Sequence, residues 1–441
     1  MVLELIDHAA FAIGEFIDYL YLQTVSRDAW GWFWFFMPLV ILAEGPRYIL
    51  PAIGMATLRA LGLLKDDEEK KRAFMETHPR VTIIIAGLNE EKGIAHCVRC
   101  LIELKYPNLE IIVVDDNSTD RMYEEAKPFA DRGEIKLYKN TAASGRQGRP
   151  ACSNLGLRMA TGEFILSLDA DTSFDNGLIH HMIGPFHDPK VGIVGGNLKV
   201  ANAEDSFWAR MQAIEYLVSI GLWKQWLNVL GMNFLASGAL GAFRKSVLDQ
   251  VGGWDPELGE DACLSLKVKK CGYTMVFAEK AVGMTDAPNT LVALAKQRLR
   301  WDKSGLRTFY RKHGDMFDFR VHDWRNAVEL GQEWFFSVFC TFMYPVYLIW
   351  MLSSDAMLLI FAWSVCLVFY TITGYVSAAV AISFSERKVD EAILLRQMLF
   401  LPAYKGVLRW VRFYSLLLET FRINYDDSFL PDTAWKNAPR W

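Results

Sequence analysis

The chain lacks the loops that most nucleotide-handling proteins carry. No Gly-x-Gly-x-x-Gly follows a strand-length apolar run, and no Gly-rich loop ends in the Lys-Ser/Thr of a phosphate cradle. The dinucleotide-binding and ATPase readings therefore lose their support. Cysteine is sparse and odd in number: seven, at 97, 100, 152, 263, 271, 340 and 366. Such scatter gives no disulfide framework and fits a reducing compartment for the soluble part. Cys97 and Cys100 form a C-x-x-C next to His96, but no second ligand pair follows. Two small, partly buried helix residues explain that spacing without a metal or redox role. Basic excess is absent as well. The net charge is −4, so nucleic acid is not an implied partner. The N-terminus has Glu4 and Asp7 where a secretory leader would be basic, so it is not read as a signal peptide.

What the chain has in abundance is apolar and aromatic. Of 441 residues, 52% are hydrophobic and 13% aromatic, with 15 Trp and 28 Phe. This composition points to membrane contact, and the length to more than one domain. Residues 30–52 begin WGWFWFFMPLVILA and continue EGPRYILP. Neither half spans a bilayer alone, so one tilted, proline-interrupted span is expected. Glu44 and Arg47 lie three apart within it and can pair. Such a pair is either functional or an interfacial mutual stabilisation. Residues 3–22 pattern as an amphipathic helix on the membrane or beside the span.

Residues 332–352 and 356–383 are apolar runs around a short Ser-Ser-Asp turn and predict a helical hairpin. Residues 392–421 contain Arg396, Lys405, Arg409 and Arg412, the last three at helical spacing, which predicts a basic in-plane helix. Arg59, Lys65, Lys70, Lys71 and Arg72 follow the first span, while only Arg27 precedes it. Arg387 and Lys388 follow the hairpin, whose turn has no base. The distribution predicts that residues 60–325 face the cytoplasm. Three parts result: 1–72, with an amphipathic helix and a span; 73–325, a cytoplasmic catalytic domain; and 326–441, with the hairpin, the in-plane helix and a tail.

Within the middle part, apolar runs of strand length at 80–87, 109–116, 133–140 and 163–171 alternate with helix-like segments. That alternation predicts a doubly wound α/β domain with a mostly parallel sheet. Ligands then bind beyond the carboxyl ends of the strands. GLNEE (87–91) ends the first run, DDNSTD (115–120) the second and DAD (169–171) the fourth. Asp169 and Asp171 offer hard oxygen ligands, suited to Mg²⁺ or Mn²⁺ with a substrate diphosphate. A solvated acidic loop has the same spelling. Farther on, GED (259–261) precedes a helix-like segment. AKQRLRW (295–301) then places Gln297, Arg300 and Trp301 on one helical face, continued by Lys303, Arg307 and Arg311. Phe207, Met211, Ile214, Val218 and Leu222 recur at steps of three or four. They predict either a helix joining the domain to the membrane or an ordinary core helix.

The order DD, DxD, ED, QxxRW resembles the processive family-two glycosyltransferases of GT-A fold. These include hyaluronan, chitin-oligosaccharide, poly-N-acetylglucosamine and cellulose synthases. The resemblance covers roughly 79–312 and the flanking spans. It implies that Asp115 and Asp116 contact the uridine of the donor, with Asn89, Glu91 and Arg149 also on the nucleotide-sugar side. It implies that Asp169 and Asp171 hold Mg²⁺ or Mn²⁺ and, through it, the diphosphate. Asp261 would be the general base, Arg300 would face the leaving diphosphate, and Trp301 would stack under the acceptor sugar. Ser237, Gly238, Glu260 and Gln297 would complete the acceptor side.

Three positions depart from the pattern. Arg149 stands where the family usually has Lys, Gly259 where it has Thr, and the ending 435–440 has Ala where Thr is usual. The regulatory domain and gating loop of bacterial cellulose synthases have no counterpart. The segments 214–231, 237–254 and 285–307 are similar to the N-acetylglucosamine-using branches. The implied function is an inverting, metal-dependent polymerase of a UDP-sugar, N-acetylglucosamine first and glucose second. Its partners would be the donor, a growing polysaccharide or lipid acceptor, the phospholipid membrane of a bacterial inner membrane and an export or assembly protein. A non-processive transferase acting on a membrane lipid is the first alternative. A non-catalytic scaffold or transport component is the second.

Overall fold

The computed structural model describes residues 28–42, 44–64, 67–141, 147–233, 235–354 and 356–421, with a few positions between 11 and 22. The helix expected over 3–22 falls largely outside the described residues, and the 435–440 tail falls wholly outside them.

Eight strands form one mixed sheet in the order β3-β2-β1-β4-β7-β6-β8-β5. They are β1 (Val81–Gly87), β2 (Leu109–Asp115), β3 (Lys136–Lys139), β4 (Phe164–Leu168), β5 (Ser173–Phe174), β6 (Val191–Val200), β7 (Leu240–Arg244) and β8 (Thr274–Thr285). The four strands read from sequence are the parallel half. β1 pairs in parallel with both β2 and β4, and β2 with β3. The second half turns antiparallel at β7, which lies between β4 and β6. This is the expected GT-A-like α/β sheet, with strands β5 to β8 added by the structure.

Strand alternation divides the core between two faces. Ile83, Ile85, Val113 and Leu166 join one buried cluster with the helix carrying Ile94, Val98 and Leu101. Ile84, Ile112 and Ile165 join the other with Cys152, Leu157 and Leu264. Each such fully buried aliphatic contributes roughly 1.5–3 kcal/mol, which makes the sheet a rigid support for the loops at its carboxyl edge.

The stretch 30–52, expected as one tilted, proline-interrupted span, is divided between two helices, Ala29–Leu42 and Gly45–Ala60. They are bent by 92° to each other. Glu44 sits at the break with φ 62, a left-handed conformation that stops the first helix and restarts the second. Trp324–Ser353 and Leu359–Phe384 are each long and apolar enough to cross a membrane.

Met211, Ile214, Val218 and Leu222 are buried against Ala52, Met55, Ala378 and Ala381, so this helical segment does join the domain to the apolar helices. Phe207, grouped with them by spacing, is 42% exposed. The segment is α-helical over Phe207–Tyr216, π-helical over Leu217–Leu222 and α-helical again over Trp223–Leu230. The helix Leu401–Thr420 does not turn its cations outward as a basic surface helix would. Arg409 and Arg412 reach Glu44 at 3.6 and 2.9 Å, and Lys405 donates to the Tyr48 hydroxyl at 2.7 Å.

Candidate active site

The carboxyl ends of β1, β2 and β4 bring the acidic motifs together, because all three strands run parallel and in register. Each motif does something different there. Asp116 is buried and already fully used. Its Oδ1 accepts from the Asn140 amide (2.8 Å) and the Gln147 N–H (2.9 Å), and its Oδ2 from the Gly148 N–H (2.8 Å). It therefore fixes the entry to the Arg149–Met159 helix. Asp115 is fully buried too, with Oδ1 held by the N–H and hydroxyl of Ser118. Its Oδ2 has no hydrogen-bond donor among the described residues; Lys139 Nζ lies 3.9 Å away.

Asn89 and Glu91 tie the loop after β1 to the loop after β2. Asn89 adopts φ 58, donates its N–H to Ser118 Oγ (3.0 Å) and accepts from the Thr119 N–H (2.8 Å). Glu91 accepts from the Arg121 N–H (3.2 Å). These two side chains hold the rim of the crevice.

Arg149 is the hub. Nη2 lies 2.6 Å from Asp169 Oδ1 and donates to the Gly238 carbonyl at 2.5 Å, while Nη1 is 3.2 Å from Glu260 Oε1. Burial opposes its charge, but Asp169, Glu260 and Asp261 together outweigh that and keep the guanidinium ionised. Gly238 in turn donates its N–H to Asp261 Oδ2 at 3.0 Å. A Cβ on Gly238 would fall 2.3 Å from Arg149 Nη1, so only glycine permits this approach. DxD, ED and the segment 237–238 thus meet around one guanidinium. Ser237 contributes its carbonyl, which accepts from the Leu240 N–H at 3.1 Å.

The charge balance beside the hub is acidic. Burial and then Asp171 and Asp169 push Glu90 up to about 7. Burial and then Asp169 raise Asp171. Burial and then Asp261 raise Glu260. Among the described residues, Asp169 and Asp171 have no third side-chain ligand close enough to close a metal cage.

Sequence comparison decides the family. The model described as "Glycosyltransferase like family 2" matches residues 78–304, the span that holds every motif above. The chain belongs to that family. The poly-beta-1,6-N-acetyl-D-glucosamine synthase of Staphylococcus aureus (strain COL) is 32% identical over 239 residues, 52% of this chain and 56% of that protein. That of Staphylococcus epidermidis is 30% identical over 233 residues, with the same coverage. The chain spans about half the length of the curated relatives it matches. Among solved structures, a mannosyltransferase of Pyrobaculum calidifontis, in complex with GDP-Man and Mn²⁺, superposes with TM-score 0.54 at 19% identity. It covers 86% of this chain and 100% of its own, a likeness of fold.

The glycosyltransferase domain explains one departure from its family pattern. Gly259 has φ +79, and a Cβ there would lie 1.7 Å from Ser304 Oγ. Thr has no room. Ser304, three residues past Trp301, brings a hydroxyl to that place from another helix and donates it to the Leu258 carbonyl at 3.4 Å.

The helix Leu291–Gly305 carries the QxxRW residues. Gln297 accepts from the Gln212 amide at 3.2 Å, and Arg300 is half-buried on the same helix. Trp301 is 40% exposed. The guanidinium of Arg298, a residue that the spacing pattern passed over, lies over its ring at 4.5 Å. The expected continuation of the cationic face also differs. Lys303 is buried, and Arg307 and Arg311 both clamp Glu419 of the Leu401–Thr420 helix, at 2.8 and 2.7 Å. Residues 306–312 are π-helical, which breaks the 3.6-residue spacing that the sequence argument assumed. Lys224 was also missed. It is half-buried, donates to the Leu235 carbonyl at 3.3 Å and is pushed down to about 8 by desolvation, against the pull of Asp261. Its place in the apolar run LWKQW was the one available signal.

Cys97 lies under the DxD turn, its thiol 3.7 Å from the Asp169 carbonyl, and Cys100 faces His96 at 3.6 Å. Burial raises both thiols, which suits packing rather than reactivity.

Proposed function

We propose that this protein is an inverting, metal-dependent membrane glycosyltransferase. It polymerises a UDP-sugar, UDP-N-acetylglucosamine before UDP-glucose, into a β-linked polysaccharide. One observation carries the reading: Arg149 and Gly238 join Asp169, Glu260 and Asp261 at the carboxyl ends of the parallel strands. Donor-side and acceptor-side groups thereby share one crevice. The similarity to poly-N-acetylglucosamine synthases supports the choice of sugar.

Asp169 and Asp171 would hold Mg²⁺ or Mn²⁺. The fit is supported by the carboxylates gathered there: Asp169 helps raise both Asp171 and Glu90, a repulsion that a dication relieves. When bound, such an ion supplies charge stabilisation to the diphosphate. Asp115 Oδ2, a buried acceptor without a donor among the described residues, suits the ring N–H of uracil. Asn89 and Glu91 shape that pocket from the rim, and Asp116 supports it from behind.

On the acceptor side, Trp301 offers a platform to the apolar face of a pyranose, with Gln297, Ser237 and Glu260 around it. Asp261 takes the proton of the acceptor hydroxyl. That oxygen attacks the anomeric carbon from the face opposite the diphosphate, the carbon–phosphate-oxygen bond breaks, and its electron pair leaves with UDP. Arg300 and Arg149 balance the charge that builds on the leaving group. Residues 1–72 and 326–441 anchor the domain to a bacterial inner membrane, with 73–325 on the cytoplasmic side, where UDP-sugars are made. The phospholipid bilayer and an export or assembly protein are the remaining partners.

The deciding experiment incubates the purified protein with each UDP-sugar, measures released UDP and sizes the labelled product. Long polymer from UDP-N-acetylglucosamine supports the reading. A single sugar on a lipid moves the protein to the non-processive class. No UDP release from any donor removes the enzyme reading.

A further inference from the structure

We infer that Arg298 is the positioning residue of Trp301 and that Glu215 and Tyr404 hold Arg298 in that role. The inference rests on the reading of Trp301 as the acceptor platform.

The geometry has three layers. The Arg298 guanidinium lies 4.5 Å from the centre of the Trp301 ring, one helical turn away on the same helix. Its two terminal nitrogens donate to the two oxygens of Glu215, at 3.1 and 2.9 Å. A two-point pair fixes the guanidinium plane as well as its position. Glu215 Oε2 also accepts from the Tyr404 hydroxyl at 2.7 Å, and Tyr404 is 2% exposed.

These residues come from three separate elements: Phe207–Tyr216, Leu291–Gly305 and Leu401–Thr420. The last lies outside the matched family segment, which ends at 304. A half-buried cation against one side of the indole limits its rotation while 40% of the residue stays exposed. That is the requirement for a platform: a fixed ring with an accessible face. Two further ties hold the same helix. Arg412 pairs with Asp302 at 3.2 Å, and the Ser415 hydroxyl donates to the Leu299 carbonyl at 3.1 Å. If the Arg298–Glu215 pair served only to join helices, its loss would lower stability and leave acceptor use alone. A positioning role separates the two.

The test uses the full chain in lipid nanodiscs, UDP-N-acetylglucosamine as donor and an N-acetylglucosamine oligosaccharide as acceptor. Arg298→Lys keeps the charge but loses the planar two-point hold. Acceptor KM should rise roughly three- to tenfold, with donor KM within about twofold. Tyr404→Phe removes one hydroxyl and should shift acceptor KM in the same direction by less, which covers the case where Arg298→Lys folds poorly. In a Trp301→Ala background, Arg298→Lys should add no further rise. If Trp301→Ala raises acceptor KM while neither Arg298→Lys nor Tyr404→Phe does, the positioning role is wrong. An Arg298→Lys effect of full size in the Trp301→Ala background overturns it too. Should Trp301→Ala itself leave acceptor KM unchanged, the platform reading falls first.

Discussion

Arg149 Nη2 lies 2.6 Å from Asp169 Oδ1, so the first carboxylate of the DxD motif is already ion-paired to a half-buried arginine. A divalent ion that uses Asp169 must share it with Arg149 or displace it. Chelation should abolish UDP release, and Mn²⁺ or Mg²⁺ should restore it. Arg149→Ala should lower the half-saturating Mn²⁺ concentration, because a competitor is gone. It should also cut kcat by roughly tenfold or more, because a phosphate partner is gone. A Mn²⁺ titration with UDP-release kinetics measures both. Full activity in excess chelator would remove the metal assignment.

Asp261 Oδ2 is aligned by the Gly238 N–H, whereas Glu260 is paired with Arg149. Asp261→Asn is nearly isosteric and should bind UDP as the unmodified protein does. Turnover should drop by about 10²–10⁴, the contribution of a positioned base. Calorimetric UDP binding beside turnover checks this. An active Asp261→Asn with an inactive Glu260→Gln would move the base by one residue.

Gly238→Ala puts a methyl group 2.3 Å from Arg149 Nη1. Arg149 has three partners and little room to yield. Activity should fall by at least about tenfold while the melting temperature changes little, since the clash displaces a side chain in the crevice and not the sheet. A melting point lowered in proportion to activity would instead make Gly238 a folding residue.

Gly259→Thr meets both a positive φ and Ser304, and should cost roughly 1–3 kcal/mol. Adding Ser304→Gly should recover part of that loss, because it clears the space while the backbone strain remains. Thermal melts of the two single variants and the double variant give the coupling. Strict additivity would show that the contact does not matter.

His313 is buried beside Cys263, and burial, Lys270 and Lys312 push it down to about 4. Its folded pKa lies below its unfolded value near 6.5, so the unfolded chain takes up the proton first as pH falls. Stability should therefore decline between about pH 6.5 and 4, by at most ~1.4 kcal/mol per pH unit from this one group. In His313→Asn the decline should be shallower over the same window. Parallel slopes in a pH series of melts would exclude His313 as the cause.

The sequence by itself determined the parallel half of the sheet and the order of the motifs. Strand-length apolar runs bounded by polar helices admit few other arrangements, and DD, DxD, ED and QxxRW are local spellings. It also determined the hairpin at 332–383, since long apolar runs leave little choice. Strands β5 to β8 escaped it. Short or glycine-rich runs such as Leu240–Arg244 become strands only when an existing edge accepts them.

Spacing anticipated the Glu44–Arg47 pair, 3.4 Å apart, but tertiary structure alone decided which distant charges meet. Arg149 found Asp169 and Glu260, Arg298 found Glu215, and Arg412 found both Asp302 and Glu44. Spacing along one helix passed over Arg298 and gave Arg307 and Arg311 the wrong face, because the partners of all three come from segments more than eighty residues away. The bend at Glu44 belongs to the same class. A left-handed residue and a right-angle turn are stable there because Arg47, Arg409 and Arg412 surround its carboxylate. Periodicity reports what a segment does with its own neighbours. A buried charge is settled by whichever distant partner the packing delivers, and one-dimensional spacing does not carry that.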